Sequence, residues 1–72
     1  MKIVYTQHAE DRLTQRMIKK SWIERALKRP DELRRAKSGK KIVIKRINSE
    51  VISVVYAVEN GNIIVITVYW GE

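Results

Sequence analysis

Asn60-Gly61 is the feature that most constrains this chain. A two-residue type I′ turn needs positive φ at both central positions, and Asn-Gly supplies it at least steric cost. The pair is flanked by Val51–Val58 and Ile63–Trp70, runs rich in β-branched and aromatic residues, so these read as two strands of one hairpin. Lys41–Ile47 reads as a third strand, joined to the second by the weaker turn Asn48-Ser49. With two-residue turns, Val58 faces Ile63, Tyr56 faces Val65, Val54 faces Thr67, Ile47 faces Glu50 and Lys45 faces Ile52. Alternation along strands then puts Ile42, Ile44, Val51, Ser53, Val55, Ala57, Ile64, Ile66, Val68 and Trp70 on one face. That face is almost wholly apolar and is expected to carry the helices. The opposite face mixes Lys41, Lys45, Tyr56, Thr67 and Tyr69 with Val43, Ile47, Ile52, Val54 and Val65, and is expected to meet a partner.

The first half follows a different period. Ile3–Tyr5 is a short strand candidate, and Thr6 offers a hydroxyl to cap a helix over Gln7–Met17. Ala9, Leu13 and Met17 form an apolar ridge, and His8, Arg12 and Arg16 recur at the same four-residue spacing beside it. Ser21 and Glu24 have capping-box spacing, which predicts a second helix from Trp22 with Ile23, Ala26 and Leu27 inward and Pro30 as its stop. The basic segment Asp31–Lys40 connects, with a short strand around Leu33–Arg35 and a turn at Gly39.

Seventy-two residues make one domain, residues 1–72, with a modest core. There is no cysteine, hence no disulfide and no thiolate metal site. One histidine and eight scattered acids suggest neither a His-rich metal site nor a two-metal nuclease, and no glycine-rich phosphate loop is present, so no metal or cofactor is expected. No secretory pattern opens the chain and no stretch reaches the roughly 18 apolar residues of a membrane span, so a cytoplasmic location away from membranes is expected. Net charge is +7. Fourteen of the fifteen basic residues lie between Arg12 and Arg46, opposed there only by Glu24, Asp31 and Glu32. Such a concentrated cationic surface attracts polyanions, nucleic acid foremost.

His8, Arg12 and Arg16 are the sharpest chemical constellation. Histidine exchanges protons near neutral pH, and arginine binds phosphate oxygens through a planar fork. Stacked along one helix, the three could hold a scissile phosphate and oppose the charge of its transition state. Tyr56 and Tyr69 with Lys41 and Lys45 form a second set, suited to stacking bases and gripping a backbone.

Tyr5-Thr6-Gln7-His8-Ala9, then Arg12, Arg16 and Ile18, an Ile23–Leu27 helix closed by Pro30, and the late stretch Ile64–Tyr69 resemble a small family known as domain of unknown function 4258. Its members share a Thr-x-His-Ala-x2-Arg-x3-Arg start. Met17 stands where many relatives carry Gly. In layout the family is similar to RelE-like and barnase-like toxin ribonucleases, which cleave RNA without metal through the ribose 2′-oxygen and are blocked by an antitoxin. The resemblance implies His8 as general base or acid, Arg12 and Arg16 on the phosphate, Arg46 as a further phosphate contact, and Tyr56, Thr67 and Tyr69 against RNA. The expected fold is α+β, ordered β-α-α-β-β-β, with two N-terminal helices on one face of a twisted antiparallel sheet, RelE-like. The expected function is a toxin-type protein acting on RNA as a metal-independent endoribonuclease. The alternative is a non-catalytic nucleic-acid-binding or protein-interaction module. RNA, an antitoxin and a second copy of the chain are the expected partners.

Overall fold

The computed structural model describes residues 2–72. Its elements are β1 (Ile3–Tyr5), α1 (Gln7–Gln15), α2 (Lys20–Lys28), β2 (Glu32–Arg35), β3 (Lys41–Ile47), β4 (Glu50–Glu59) and β5 (Asn62–Trp70). The fold is α+β, with two helices followed by a meander, as the sequence predicts. The sheet is five strands wide in the order β1-β5-β4-β3-β2. It is mixed rather than antiparallel throughout, because β1 runs parallel to β5.

The turns hold their predicted places. Asn60 and Gly61 both take positive φ, 51° and 78°. Ile47 pairs with Glu50, Lys45 with Ile52, Tyr56 with Val65 and Val58 with Ile63, as the turns require. Beyond Tyr56 the expected register fails. Val55 pairs with Thr67 and Val54 with Val68, leaving Ile66 as the extra residue of a β-bulge. One added residue reverses the faces of everything after it. Val68 and Trp70 therefore join Val65, Val54 and Ile52, while Thr67 and Tyr69 turn to the other side.

This bulge corrects the assignment of faces. The helices cover Val43, Ile47, Ile52, Val54, Val65 and Val68, the face expected to be open, against which Ala9, Ile18, Ile23 and Ala26 are buried. Tyr5, Leu13, Trp22, Leu27, Tyr56 and Trp70 pack around this core, with Trp22 and Trp70 edge to face at 5.9 Å. The face expected to be covered has no helix on it. Near its middle, Ser53 is fully buried and its hydroxyl donates to the Gly71 carbonyl at 2.5 Å. Glu72 then reaches across to accept from Arg34 at 2.7 Å. Ile42, Val51, Val55, Ala57 and Ile64 on this side are only half-buried.

Thr6 ties the helical half to the bulge. Its hydroxyl accepts from the Ala9 N–H at 3.0 Å, capping α1, and donates to the Ile66 carbonyl at 3.1 Å. At the other end of α1 the chain turns at Met17, which takes φ 56° and is 81% exposed. A left-handed conformation costs a side-chain-bearing residue about 1–2 kcal/mol, a cost that glycine would avoid at this position. The second helix starts earlier than expected. Lys19 is its N-cap and has no side-chain cap bond, so Ser21 lies inside the first turn and the predicted capping box does not form. After Pro30, Asp31 docks β2. Its N–H donates to the Ile44 carbonyl at 2.9 Å, and its carboxylate accepts from the Arg46 N–H at 2.8 Å and the Lys45 ammonium at 3.3 Å. The Arg46 N–H, then Lys45, hold this carboxyl below its usual range, so its contribution to stability fades as acid protonates it.

Thr6→Ala removes the helix cap and leaves the Ile66 carbonyl without its partner, an expected loss of about 2 kcal/mol in urea unfolding. A loss under about 0.5 kcal/mol, within the range of ordinary surface changes, would contradict the linking role.

Candidate nucleic-acid interface

Each residue singled out from the sequence has a definite place. His8 is exposed in the first turn of α1 and, among the described residues, its ring has no hydrogen-bond partner. Arg12 lies one turn on, half-buried, with Nη1 donating to Gln15 Oε1 at 2.8 Å. Among the described residues no acid holds it: Glu10 pairs with Lys20 at 3.1 Å, and Asp11 accepts from Gln7 at 3.0 Å. Arg16 departs from the ridge because α1 ends at Gln15. Its Nη1 donates to the Val68 carbonyl at 2.5 Å, and its own carbonyl accepts from Trp70 Nε1 at 2.8 Å. Arg16 thus clamps the end of α1 to β5, and His8 with Arg12 forms the free part of the triplet.

The second set is divided by the bulge. Lys41, Lys45 and Tyr56 lie on the helix side, whereas Thr67 and Tyr69 lie on the open side with Arg46. Lys45 is engaged by Asp31, while Lys41 makes no ion pair among the described residues. His8 and Tyr69 are on opposite sides of the sheet and do not share a site. The helix side of the sheet therefore holds Lys41 and Tyr56, while His8 and Arg12 lie on α1, which packs on that side against β5 and β1.

Tyr5 is a feature that the sequence did not single out as a site. Its hydroxyl is buried with no hydrogen-bond partner, and the Lys20 ammonium stands 4.6 Å from its ring centroid. Burial first, then the nearby carboxylates of Glu24 and Glu10, push its pKa up to about 12. Nothing in the local spacing signals this, because Lys20 and Glu24 arrive from the second helix. Also missed was the density of cations around the β2–β3 turn, visible in the sequence as a basic connector but not as a surface.

Among the described residues, no three His, Asp or Glu side chains gather where a metal ion could sit, and no helix is long and apolar enough to cross a membrane. The profile of the family described as Domain of unknown function (DUF4258) matches residues 5–70. The chain belongs to this family. No curated protein and no solved structure matches it. The match includes α1 with His8 and Arg12, Arg16 after it, and the whole sheet except its first residues.

A group that is harder to ionise in the folded than in the unfolded state stabilises the fold until pH passes the unfolded pKa. Tyr5 therefore contributes stability that is complete below about pH 10 and is lost as pH rises toward about 12. Tyr5→Phe should flatten the fall of stability across that window and remove a deprotonation near pH 12 from an absorbance titration. Superimposable titrations of the two proteins would refute this.

Proposed function

We propose that this protein acts on RNA and cleaves it without metal, with His8 as the general base and Arg12 on the phosphate. The observation that carries the reading is the pair itself: the only imidazole of the chain is exposed one helical turn from a guanidinium that no acid neutralises. In this reading His8 takes the proton from a ribose 2′-hydroxyl, whose oxygen attacks the adjacent phosphorus. The bond to the 5′-oxygen breaks, that oxygen takes a proton from water, and a 2′,3′-cyclic phosphate remains. Arg12 opposes the charge that builds on the non-bridging oxygens. Lys41 and Tyr56 extend the contact across the helix side, and Arg16 supports the site by fixing the end of α1. The toxin-like role and the RelE-like layout implied by the family resemblance belong to this proposal.

A second reading is favoured by the uncovered sheet face, where Ile42, Val55, Ala57 and Ile64 are only half-buried. Its occupant is a protein carrying an apolar strip and net negative charge, as an antitoxin would. Charge decides between this and a second copy of the chain, since two bodies of +7 repel. Light scattering should give a monomer at low salt and micromolar concentration, and a stable homodimer there would count against an acidic partner.

The main reading is tested by incubating the purified protein with RNA in EDTA. Cleavage to 2′,3′-cyclic phosphate ends is expected, with a loss of about 10²-fold or more in His8→Ala. Cleavage at the wild-type rate in that variant would remove His8 from the chemistry. RNA binding without cleavage would reduce the protein to a binding module.

A further inference from the structure

The turn between β2 and β3 carries a charge that the pair on α1 does not explain. Arg35, Lys37, Lys40 and Lys41 fall within seven residues, and no acid occurs from Leu33 to Ser49. Asp31 and Glu32, the two acids just before the turn, and Glu72 are engaged elsewhere. Asp31 holds Lys45, while Glu32 and Glu72 both hold Arg34. Among the described residues, none of the four cations at the turn has an ion-pair partner. Like charges crowded at one tip repel one another, which is a cost to the free protein that a bound polyanion would relieve.

The tip has a defined shape. The Ala36 N–H donates to the Lys40 carbonyl at 2.8 Å, and the Lys40 N–H donates to the Lys37 carbonyl at 3.3 Å. Ser38 and Gly39 both take positive φ, 62° and 76°, so the chain reverses tightly there. Beside the tip, Arg35, Ala36, Gly39, Lys40 and Lys41 line an open cleft of about 270 Å³.

Register places Arg35, the last residue before this tip, and Tyr5, the last strand residue before α1, in one row of the sheet, from which the tip and α1 leave in opposite directions. Arg35 pairs with Lys41, Lys41 with Tyr56, Tyr56 with Val65, and Val65 with Tyr5. These five residues form one row across the helix side of the sheet. The chain leaves the row at Tyr5, is capped by Thr6, and presents His8 in the first turn. Five strands span four inter-strand spacings, roughly 19 Å, a length on the scale of a few nucleotides.

We infer that the β2–β3 turn is an arm that grips the backbone of single-stranded RNA, with Arg35, Lys37, Lys40 and Lys41 on its phosphates and Tyr56 between the arm and the His8 end. The inference rests on the proposed action on RNA and adds the element that supplies affinity. Lysines at the tip act as point charges and read no sequence, so the arm governs how tightly RNA is held and how steeply salt weakens it. The chemistry stays with His8 and Arg12.

The test is equilibrium binding of a fluorescent 12-nucleotide single-stranded RNA, 2′-O-methylated so that it cannot be cleaved, across a salt series, for wild type, Lys37→Gln/Lys40→Gln, Lys37→Arg/Lys40→Arg and His8→Ala. Each lost phosphate contact on a single strand lowers the slope of log affinity against log salt by about 0.7. The glutamine variant should therefore lose roughly 1.4 in slope and bind more weakly, while the arginine and His8→Ala variants keep the wild-type slope. Both lysines are exposed in a turn, so thermal unfolding of the glutamine variant should match wild type. Wild-type binding with an unchanged slope in the glutamine variant overturns the arm and leaves the action on RNA standing. No RNA binding by wild type overturns both. Lysine-dependent binding to anionic lipid vesicles, with RNA binding independent of the two lysines, assigns the arm to a membrane surface and overturns the inference.

Discussion

The hydroxyl of Thr6 joins the two halves of this fold. It accepts the Ala9 N–H that starts α1 and donates to the carbonyl of Ile66, the extra residue of the bulge in β5. A bulge residue lacks a partner in the ladder, and its carbonyl must be satisfied by other means. With the bulge in place, Val65, Val68 and Trp70 all face the helices, and the core can close around Ile52 and Val54. Without it, Val68 would sit opposite Val65 in face, and the apolar side of α1 would meet Thr67. Arg16 repeats the linkage one helix-length away, through the Val68 carbonyl and the Trp70 indole.

This arrangement makes the sheet two-sided in packing. The helix side carries Lys41 and Tyr56, and α1 with His8 and Arg12 packs on that side. The other side carries half-buried aliphatic residues with Thr67 and Tyr69. Asp31, Glu32 and Glu72 pair with Lys45 and Arg34, and among the described residues no ion pair reaches the cations of the β2–β3 turn.

Much of this was readable from residue types. Runs of Ile and Val bounded by Asn60-Gly61 and Asn48-Ser49 mark β3, β4 and β5 to within a residue or two, because turn chemistry is local. Thr6 as a cap and Pro30 as a stop are local as well. The bulge was not readable, since Ile63 to Ile66 is apolar at every position and alternation carries no phase there. Losing that phase misassigned the faces and joined Thr67 and Tyr69 to Lys41 and Tyr56. The parallel pairing of β1 with β5 joins residues about sixty apart and leaves no local signature. At the site, the four-residue spacing of His8 and Arg12 survives because both lie within α1. Arg16 does not keep that geometry because the helix stops one residue before it, and Lys45 is occupied by an aspartate fourteen residues away.

Amide chemical-shift mapping by NMR, with a short 2′-O-methylated single-stranded RNA added in steps, would locate the surface that meets RNA. Shifts are expected at His8, Arg12, Lys37 to Lys41 and Tyr56, with Val51, Thr67 and Tyr69 unmoved. Shifts confined to the open face of the sheet would contradict this placement.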